Sequence, residues 1–585
     1  MPTLDWIGKK AVINHHREVP YHLLRCDAKL SIGESGSGNL LVEGDNLLAL
    51  KALLPYYAGQ VKCIYIDPPY NTGNEKWVYN DAVNSPEIRR WLGKVVGQEA
   101  EDLSRHDKWL SMMYPRLALL REFLREDGVI LVSIDDFEGH RLRFLMDEVF
   151  GLRNFVAQLV WDKTRKNDAK LFSVGHEYIL IYAKSLQYLK DHKTVWREQK
   201  PGAREILLKW RELKETHGED PERIQMGLRE WYNILPRNHP AKKLSRYKWV
   251  DRFGPWRDRD ISWPGGGGPR YDVIHPKTGL PCKVPERGWG FATPEEMQRL
   301  IRVGLVEFRE DHTQPPFRKA HLLPLSAEFE SASGQEEAES EEGEDESAGL
   351  LVMPSVIQKQ AQVSVKLLRK IFNGLKVFPN PKDHEVIMRL IRYVTGPNDI
   401  VLDSFAGSGT TGHAVLQVNK EDESRRRFIL VEMLHEIAKD VTSERLRRVI
   451  SGGAELEPTS GGFRYCTLAE PLFDEGGNIR PQVTFADLAA HVFFTETGEP
   501  IPKRTNGRTP LLGVCKGTAY YLLFNGILGD KRPDGGNVLT GKTLAQLPAH
   551  HGPKVVYGEG CRLGKMHLKR ERIMFKQVPY EIQTS

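Results

Sequence analysis

Short, almost wholly apolar runs recur along the first part of the chain, and each is followed by a polar or proline-rich turn. Residues 61–66, 128–134 and 177–183 form three such runs, and their length and composition predict buried β-strands. Helices are expected between them, at about 105–125 and 138–150. Apolar strands that alternate with helices are typical of a parallel sheet covered on both faces. The pattern therefore predicts an α/β fold.

The same pattern returns after about residue 365, where 399–402 and 427–431 predict two more strands. The region between, from about 190 to 325, is rich in Arg, Lys, Trp, Pro and Gly, and eight of the twelve tryptophans lie between Trp161 and Trp289. One α/β domain interrupted by a basic, aromatic insert explains this change. We therefore predict four regions: 1–190, the insert 191–365, the returning half 366–455, and a C-terminal region 456–585.

Charge is unevenly distributed along the 585 residues. The formal net charge is +5, but residues 328–346 hold ten acidic and no basic side chains, so the remainder carries +15. We predict a solvated acidic loop at 328–348 in an otherwise basic protein. A basic body suits a protein that binds a polyanion such as nucleic acid, although a general solubilising excess of charge would give the same count.

Composition excludes several classes of protein. No run approaches about 18 uncharged apolar residues, so no membrane span is predicted, and the first ten residues lack a signal-peptide pattern. The six cysteines are scattered without a C-x-x-C pair, which argues against a zinc ribbon or a redox motif. This usage is typical of a protein in a reducing cytoplasm, and no metal site is expected.

The tetrapeptide Asp67-Pro68-Pro69-Tyr70 follows the predicted strand at 61–66 directly. Open α/β sheets bind ligands at the carboxyl ends of their strands, where this turn would lie. The Asp67 carboxylate and the Pro68 carbonyl, with a backbone fixed by the prolines, offer two acceptors to one group that carries two hydrogens, such as an exocyclic amine. Binding both hydrogens orients the nitrogen lone pair and stabilises the charge that develops on nitrogen, and Tyr70 offers a face for stacking. A plain strand-ending turn is the alternative interpretation.

The second turn, Asp403-Ser-Phe-Ala-Gly407-Ser-Gly409-Thr-Thr-Gly412, follows the predicted strand at 399–402. Its glycines allow a ligand to approach the backbone closely, and it matches G-x-G-x-x-G, the pattern of dinucleotide sites. Glu432 ends the next predicted strand, where an acid that binds ribose hydroxyls suits NAD and S-adenosylmethionine equally. Simple packing of a helix on a strand is the alternative.

A third run, 536–543, formally fits the phosphate-loop pattern G-x-x-x-x-G-K-[ST]. A polar stretch precedes it where a buried strand belongs, so an ordinary loop before a helix is favoured.

Considered together, the first two turns distinguish between the two candidate cofactors, NAD and S-adenosylmethionine. A dehydrogenase has no use for an amine-binding turn or for a large basic insert, whereas methyl transfer from S-adenosylmethionine to an amino nitrogen uses both turns. The enzyme's main task is then alignment of nitrogen, methyl and sulfur, without a metal. A cytosine-C5 methyltransferase would need a Pro-Cys nucleophile, and the one cysteine that follows a proline, Cys282, lies in the insert.

Asp67-Pro-Pro-Tyr-Asn-Thr-Gly73, followed far later by Asp403-Ser-Phe-Ala-Gly-Ser-Gly-Thr-Thr411, resembles the beta class of adenine-N6 DNA methyltransferases. More narrowly, the chain is similar to the modification subunits of type III restriction systems, in which the catalytic half precedes the recognition insert and the cofactor half follows it. Further similar stretches are 44–46, 378–382, the insert segment 265–290 and 575–580. The resemblance implies a Rossmann-like, circularly permuted sheet of seven strands, with an inserted target-recognition domain and a C-terminal appendage.

Carried over onto this sequence, the resemblance implies roles for individual residues. Asp67 and Pro68 bind the target amine within a turn that Pro69 rigidifies, and Tyr70 stacks on the base. The implied S-adenosylmethionine site consists of Asp45, Asn380, Lys382, Asp403, Phe405, Gly407, Gly409 and Glu432. A homodimer and a restriction subunit with helicase and nuclease activities are the implied protein partners.

Seven basic residues within 242–259 are interleaved with aromatic side chains. A base must leave the duplex to reach such a site, and phosphate contacts would hold the distorted DNA. We predict contacts to double-stranded DNA from Lys242, Lys243, Arg246, Lys248, Arg252 and Arg257. For any single one of them, a solvated face over an aromatic core is the alternative.

Two other functions stay open at this point. Cytosine-N4 methylation uses the same kind of amine, and Asp at position 67 favours adenine by resemblance, not by physics. A non-catalytic DNA-binding or assembly subunit is the second.

Overall fold

The structure is a computed structural model that describes residues 3–33, 37–71, 100–163, 170–263, 265–323, 325, 349–360, 362–453, 456–502, 509–527, 530–579 and 582. The predicted acidic loop 328–348 lies outside the described residues. The described chain forms two compact units, one of residues 1–194 and 354–585 and one of residues 195–353.

The first stretch of the chain supplies six strands and six helices among its described residues. The strands are β1 (His22–Ile32), β2 (Leu40–Glu43), β3 (Val61–Ile66), β4 (Leu124–Ile134), β5 (Phe155–Asp162) and β6 (His176–Ala183). The helices are α1 (Lys9–Val12), α2 (His15–Glu18), α3 (Asn46–Tyr57), α4 (Ala100–Phe123), α5 (Gly139–Met146) and α6 (Leu186–Asp191), with a π turn at Asp147–Gly151 and a 3₁₀ turn at Leu152–Asn154.

The unit 195–353 lies within the region predicted as the insert, 191–365. Its strands are β7 (Glu198–Gln199), β8 (Trp249–Asp251), β9 (Gly254–Arg259), β10 (Val306–Glu307), β11 (Phe317–His321) and β12 (Leu350–Leu351). Its helices are α7 (Ala203–His217), α8 (Pro221–Ile234), α9 (Pro240–Lys243) and α10 (Pro294–Val303). Antiparallel pairing gives the order β10-β11-β9-β8, and β7 pairs with β12.

The chain then returns to the first unit. Its further strands are β13 (Val356–Gln358), β14 (Ile400–Asp403), β15 (Arg427–Glu432), β16 (Phe463–Pro471), β17 (Leu511–Cys515), β18 (Thr518–Leu522), β19 (Val538–Leu539), β20 (Lys554–Gly558), β21 (Gly560–Cys561) and β22 (Ile573–Gln577). The helices are α11 (Gln362–Ile371), α12 (His384–Val394), α13 (Thr410–Asp422), α14 (His435–Ile437), α15 (Glu444–Ser451), α16 (Phe485–Thr497), α17 (Gly541–Gln546) and α18 (Lys565–Arg570), with a π turn at Ala438–Ser443.

Within the described ranges, ten strands form one sheet in the order β1-β16-β2-β15-β14-β3-β4-β6-β5-β13. The strands from β2 to β4 run parallel, whereas β6 is antiparallel to β4 and to β5. The α/β class is confirmed. The resemblance implied seven strands, whereas this sheet has ten; the segment from β2 to β5 contains seven, and β13, β16 and β1 lie beyond it at the two edges.

Two boundaries differ from the predicted ones because short strands join the sheet. The insert was predicted to reach residue 365, but β13 pairs in parallel with β5, so the sheet resumes within a few residues of Met353. The C-terminal region was predicted to begin at 456, but β16 lies between β1 and β2. After β16 the chain builds a smaller sheet, β17-β18-β20-β22.

Burial explains why β3 occupies the middle of the large sheet. All six of its residues are buried, and each fully buried Val or Ile side chain is worth about 1.5–3 kcal/mol. A continuous apolar core covers β3 through α3 and α4, including Leu50, Trp109 and Leu120. The packed core fixes the carboxyl end of β3, from which the Asp67 turn emerges.

Two of the six cysteines are joined, which cysteine spacing did not predict. Cys26 of β1 and Cys466 of β16 are register partners and form a disulfide. The remaining four, Cys63, Cys282, Cys515 and Cys561, are free thiols.

None of the helices in the described ranges combines the length and the apolar character needed to cross a bilayer.

Candidate functional site

The two predicted turns lie side by side at the carboxyl ends of two central strands of the large sheet. β3 and β14 are adjacent and parallel, with Ile64 opposite Leu402, so the turns that begin at Asp67 and Asp403 leave the sheet side by side. Between them, in the described part of the chain, lies a partly open cavity of about 240 Å³, lined by Tyr65, Asp67, Pro69, Phe378, Asn380, Lys382, Asp403, Phe405, Ala406, Gly407, Ser408, Thr410, Thr411, Glu432, Leu434 and Ile437.

The glycine-rich turn has the backbone form that its sequence predicts. Gly407 and Gly409 adopt φ values of +49° and +75°, a region that other residues rarely occupy. A Cβ atom on Gly407 would lie 3.2 Å from Cζ of Phe378, and one on Gly409 would lie 3.0 Å from Cγ2 of Thr442. Glycine at these positions therefore keeps the turn close to its neighbours and one wall of the cavity open.

Asp403 holds the turn from within. Its Oδ1 accepts a hydrogen bond from the backbone N–H of Phe405 at 2.9 Å, and its Oδ2 accepts one from the Thr411 hydroxyl at 2.5 Å. Burial raises the pKa of Asp403 to about 7, although these two hydrogen bonds oppose the shift. Both carboxylate oxygens thus shape the turn, and a direct contact with a cofactor stays a prediction.

Glu432 stands at the carboxyl end of β15 and lines the same cavity. Its Oε2 accepts from the Gly407 N–H at 2.8 Å, and its Oε1 accepts from the Leu434 N–H at 3.0 Å. Burial raises the pKa of Glu432. Since each carboxylate oxygen has further lone pairs, Glu432 can accept hydrogen bonds from a ligand in the cavity.

Asp45 lies outside the lining of the cavity. Its Oδ1 accepts from two backbone amides in the first turn of α3, at 2.9 and 3.1 Å, and its Oδ2 is 3.4 Å from Nη2 of Arg116. The next residue, Asn46, is buried and donates to the Ser404 carbonyl at 3.0 Å. Asp45 therefore fixes the start of α3, and its predicted contact with a cofactor remains untested.

Neighbouring side chains fix the Asp67 turn on both sides. Trp109 of α4, fully buried, donates from Nε1 to the Pro69 carbonyl at 2.7 Å. Asn71 adopts φ +60° and donates to the buried Glu138 carboxylate at 2.5 Å, which also contacts His106 Nδ1. His106 therefore supports this turn through Glu138.

Three charged side chains and Tyr70 form a single cluster with Asp67. Lys382 Nζ is 3.1 Å from Asp67 Oδ1 and 2.9 and 3.0 Å from the two oxygens of Glu177. The Tyr70 hydroxyl donates to Glu177 at 3.0 Å and lies 2.5 Å from Lys382 Nζ. Lys163 forms a further ion pair with Glu177. Hence the carboxylate predicted to bind an amine already faces an ammonium group.

The pKa shifts in this cluster follow from burial and from pairing. Burial raises the pKa of Asp67, with Lys382 acting against it. Burial would also raise the pKa of Glu177, but the ammonium groups of Lys382 and Lys163 outweigh it and hold that pKa below its usual value. Burial would lower the pKa of Lys382, but Asp67 and Glu177 outweigh it and raise that pKa. Lys382 and Glu177 are therefore both charged near neutral pH.

Sequence reasoning missed several of these residues. Glu177 carried a visible signal, because it is an acid at the start of an otherwise apolar run. Lys163 carried none, since it follows β5 and reaches Glu177 through the pairing of β5 with β6. Arg445 was also missed: it is buried below the glycine-rich turn and donates to the Ser408 carbonyl at 3.1 Å.

In the insert, the predicted DNA-binding residues divide into two groups. Lys243, Arg246 and Lys248 are exposed, while the interleaved Tyr247 and Trp256 are buried in the core of the unit. The three exposed side chains thus lie on the surface over an aromatic core, and their contact with DNA stays a prediction.

The second group makes contacts within the insert. Lys242 donates to the Tyr232 carbonyl, Arg252 to the Val303 carbonyl at 2.9 Å, and Arg257 to the Asp258 carbonyl at 3.3 Å. These contacts use part of their hydrogen-bonding capacity, and DNA contact by these residues stays a prediction.

The run at 536–543 also has a structural explanation. Thr540 caps the short helix α17 by accepting from the Thr543 N–H at 3.1 Å, and the Thr543 hydroxyl donates to the Val538 carbonyl at 3.1 Å. The threonine that a phosphate loop would offer to a metal therefore holds the start of this helix.

Comparison with known protein families agrees with the presence of an Asp-Pro-Pro-Tyr turn beside a glycine-rich turn. Residues 61–443 match the model of the family described as DNA methylase, and the chain belongs to this family. It is 33% identical over 455 residues to the EcoP15I Mod subunit, a type III restriction-modification enzyme of Escherichia coli, covering 75% of this chain and 65% of that one. The predicted resemblance to type III modification subunits is confirmed.

Two further relatives extend this picture. The chain is 30% identical over 499 residues to the type III StyLTI Mod subunit of Salmonella typhimurium, covering 80% of this chain and 66% of that one. It is 28% identical over 422 residues to the type II methyltransferase M.KpnI of Klebsiella pneumoniae, covering 70% and 84%. The chain thus spans just under two thirds of the two Mod subunits.

Proposed function

We propose that this protein is an S-adenosylmethionine-dependent DNA methyltransferase that methylates the N6 amine of a flipped-out adenine. One observation carries the proposal: the Asp67 turn and the glycine-rich turn leave adjacent parallel strands and border one cavity. An amine acceptor and a ligand-binding turn are thereby placed within reach of each other. Membership of the DNA methylase family supports the same reaction.

The residues around the cavity fit the cofactor. Gly407 leaves the space beside Phe378 open, and the Glu432 carboxylate has lone pairs left for ribose hydroxyls. The other proposed contacts are Asp45, Asn380, Lys382, Asp403, Phe405 and Gly409. S-adenosylmethionine, when bound, supplies an electrophilic methyl group.

At the Asp67 turn, the protein's task is to bind and orient the amine. The Asp67 carboxylate and the Pro68 carbonyl accept its two hydrogens, which directs the nitrogen lone pair toward the methyl group. Positive charge that develops on nitrogen is stabilised by Asp67. Tyr70 is held through its hydroxyl by Glu177 and Lys382, so the face of its ring is oriented for stacking on the base.

The relatives support a proposal for the partners. The curated relatives at 33% and 30% identity are Mod subunits of type III restriction-modification enzymes, so we propose that this chain is a modification subunit that pairs with a restriction subunit and acts in the cytoplasm. Lys242, Lys243, Arg246, Lys248, Arg252 and Arg257 are the proposed contacts to double-stranded DNA, and a homodimer is the proposed assembly.

The test uses the full chain, unmethylated genomic DNA and S-adenosylmethionine with a labelled methyl group, followed by digestion to nucleosides and mass analysis. Label in N6-methyl-2′-deoxyadenosine is expected from the wild type. Label in N4-methyl-2′-deoxycytidine would keep the mechanism but change the target base to cytosine. No label, with cofactor binding intact by equilibrium dialysis, would contradict the proposal and favour a DNA-binding or assembly subunit.

A further inference from the structure

We propose that Glu177 is a positioning residue for the methyl transfer: it holds the Lys382 ammonium so that the Asp67 carboxylate stays available to the target amine. This inference rests on the proposed function and deepens it. No motif includes Glu177, which is brought to the site by the antiparallel pairing of β6 with β4.

The geometry sets up a competition for Asp67. Lys382 Nζ lies 3.1 Å from Asp67 Oδ1, which is also an oxygen that an incoming amine would use. Two contacts to Glu177, at 2.9 and 3.0 Å, give the same ammonium a second anchor. Lys382 can therefore give up Asp67 to the amine and stay paired with a carboxylate.

Charge balance shows why this anchor has to be ionised. The groups that face Lys382 are Asp67 and Tyr70 on the β3 turn, Glu177 on β6, and Lys163, which follows β5 and pairs with Glu177. When all four groups are ionised, two carboxylates match two ammonium groups; burial acts against this state by raising the pKa of Asp67 and lowering that of Lys163. If Glu177 were neutral, both ammonium groups would face Asp67 alone, and a like charge close to a developing cation is unfavourable.

The charge balance around Asp67 matters most when positive charge develops on the target nitrogen. The nitrogen lone pair forms the new N–C bond, the electron pair of the broken C–S bond leaves with sulfur, and nitrogen carries a positive charge until one of its protons passes to water. An Asp67 carboxylate already neutralised by Lys382 would stabilise that charge less. Glu177 thus acts on the reaction through Lys382 and Asp67, without touching the amine.

The experiment compares Glu177→Gln, Lys382→Met and the double variant in single-turnover methyl transfer to DNA. Glutamine keeps the shape and an acceptor for the Tyr70 hydroxyl, so Glu177→Gln changes chiefly the charge. We expect transfer about 100-fold slower than in the wild type, the size of effect typical for lost electrostatic stabilisation of a transition state. Glu177 is outside the cavity lining, but it holds Lys382, a proposed cofactor contact. The rates are therefore compared at saturating S-adenosylmethionine, with cofactor affinity measured separately by equilibrium dialysis, so that a change in affinity is not mistaken for a change in the rate of transfer.

The double variant distinguishes positioning from a structural role. Removing Lys382 as well leaves Asp67 opposite Lys163 alone and restores the charge balance. At saturating S-adenosylmethionine, which offsets the loss of Lys382 as a proposed cofactor contact, the double variant should be at least about tenfold faster than Glu177→Gln. Glu177→Asp, which keeps the charge, should stay within about tenfold of the wild type and covers the case in which the glutamine variant fails to fold.

Three outcomes would overturn the inference. The first is a Glu177→Gln variant with the wild-type rate, and the second is a double variant no faster than that single variant. The third is a wild type that transfers no methyl group to DNA, which would overturn the proposed function together with this inference, whereas the first two leave the proposed function standing.

Discussion

The Asp67 turn and the glycine-rich turn, at the carboxyl ends of β3 and β14, are stabilised by different kinds of contact. Around Asp67, charged side chains meet one another: Lys382 bridges two carboxylates, and Lys163 joins them. Around Gly407, the carboxylates of Asp403 and Glu432 bind mainly backbone N–H groups and a hydroxyl. The first turn is organised by charge and the second by shape.

This difference matches what each turn is proposed to bind. Charge develops on the target amine during transfer, so the Asp67 turn needs a carboxylate whose availability is controlled. The cofactor needs space and fixed acceptors, which glycines with positive φ and a shaped backbone provide. Substitutions that alter charge should therefore act chiefly on rate at the first turn, and substitutions that fill space should act on binding at the second.

The largest effect is expected for Asp67→Asn. The amide keeps the shape of the side chain but loses the negative charge beside the amine, and kcat should fall about 1,000-fold. Cofactor affinity by equilibrium dialysis should stay close to that of the wild type, since the glycine-rich turn is unchanged. A variant that methylates DNA at the normal rate would remove Asp67 from the catalytic site.

Gly407→Trp should give the reverse result. An indole at φ +49°, where even a Cβ atom would lie 3.2 Å from Phe378, fills the cavity and should weaken cofactor binding at least about 100-fold. Gly374→Trp is the matched control, because it also has a positive φ but faces open space. An equal loss of cofactor affinity in the two variants would mean that backbone strain, and not filling of the cavity, causes it.

The sequence predicted the two turns but little of what surrounds them. Strand and turn residues are contiguous, so Asp67 and Gly407 could be placed by local pattern. Glu177 lies 110 positions beyond Asp67, and only the β4–β6 pairing brings them together. Similarly, β13 is three residues long and belongs to the sheet through one neighbour, which no periodicity reveals.

The titration of Asp403 allows the glycine-rich turn to be tested through the pH dependence of the protein's stability. Burial raises its pKa to about 7, whereas the unfolded carboxyl titrates near ~4. The folded state therefore binds more protons between these values, so this residue's contribution to stability falls as pH rises from about 4 through 7. Asp403→Asn removes the titration and should gain on the order of 2 kcal/mol relative to the wild type between pH 5 and pH 8.

Thermal unfolding midpoints of both proteins at pH 5 and pH 8 measure this change. The wild-type midpoint should fall more than that of the variant over the interval. Parallel changes in the two proteins would show that Asp403 is ionised across this range, and that its hydrogen bonds to Phe405 and Thr411 outweigh burial.

The smallest effect is expected for Trp109→Phe, which probes whether the Asp67 turn depends on anything besides charge. The substitution removes the 2.7 Å hydrogen bond to the Pro69 carbonyl and keeps most of the aromatic packing. The lost hydrogen bond contributes about 1 kcal/mol to holding the turn. We expect kcat to fall by about three- to tenfold with cofactor affinity unchanged. Since Trp109 lies on α4 and bears no charge, a loss as large as that of Asp67→Asn would show that backbone position, more than electrostatics, controls this turn. A rate equal to the wild type would show instead that the prolines and the charged cluster are sufficient to hold it.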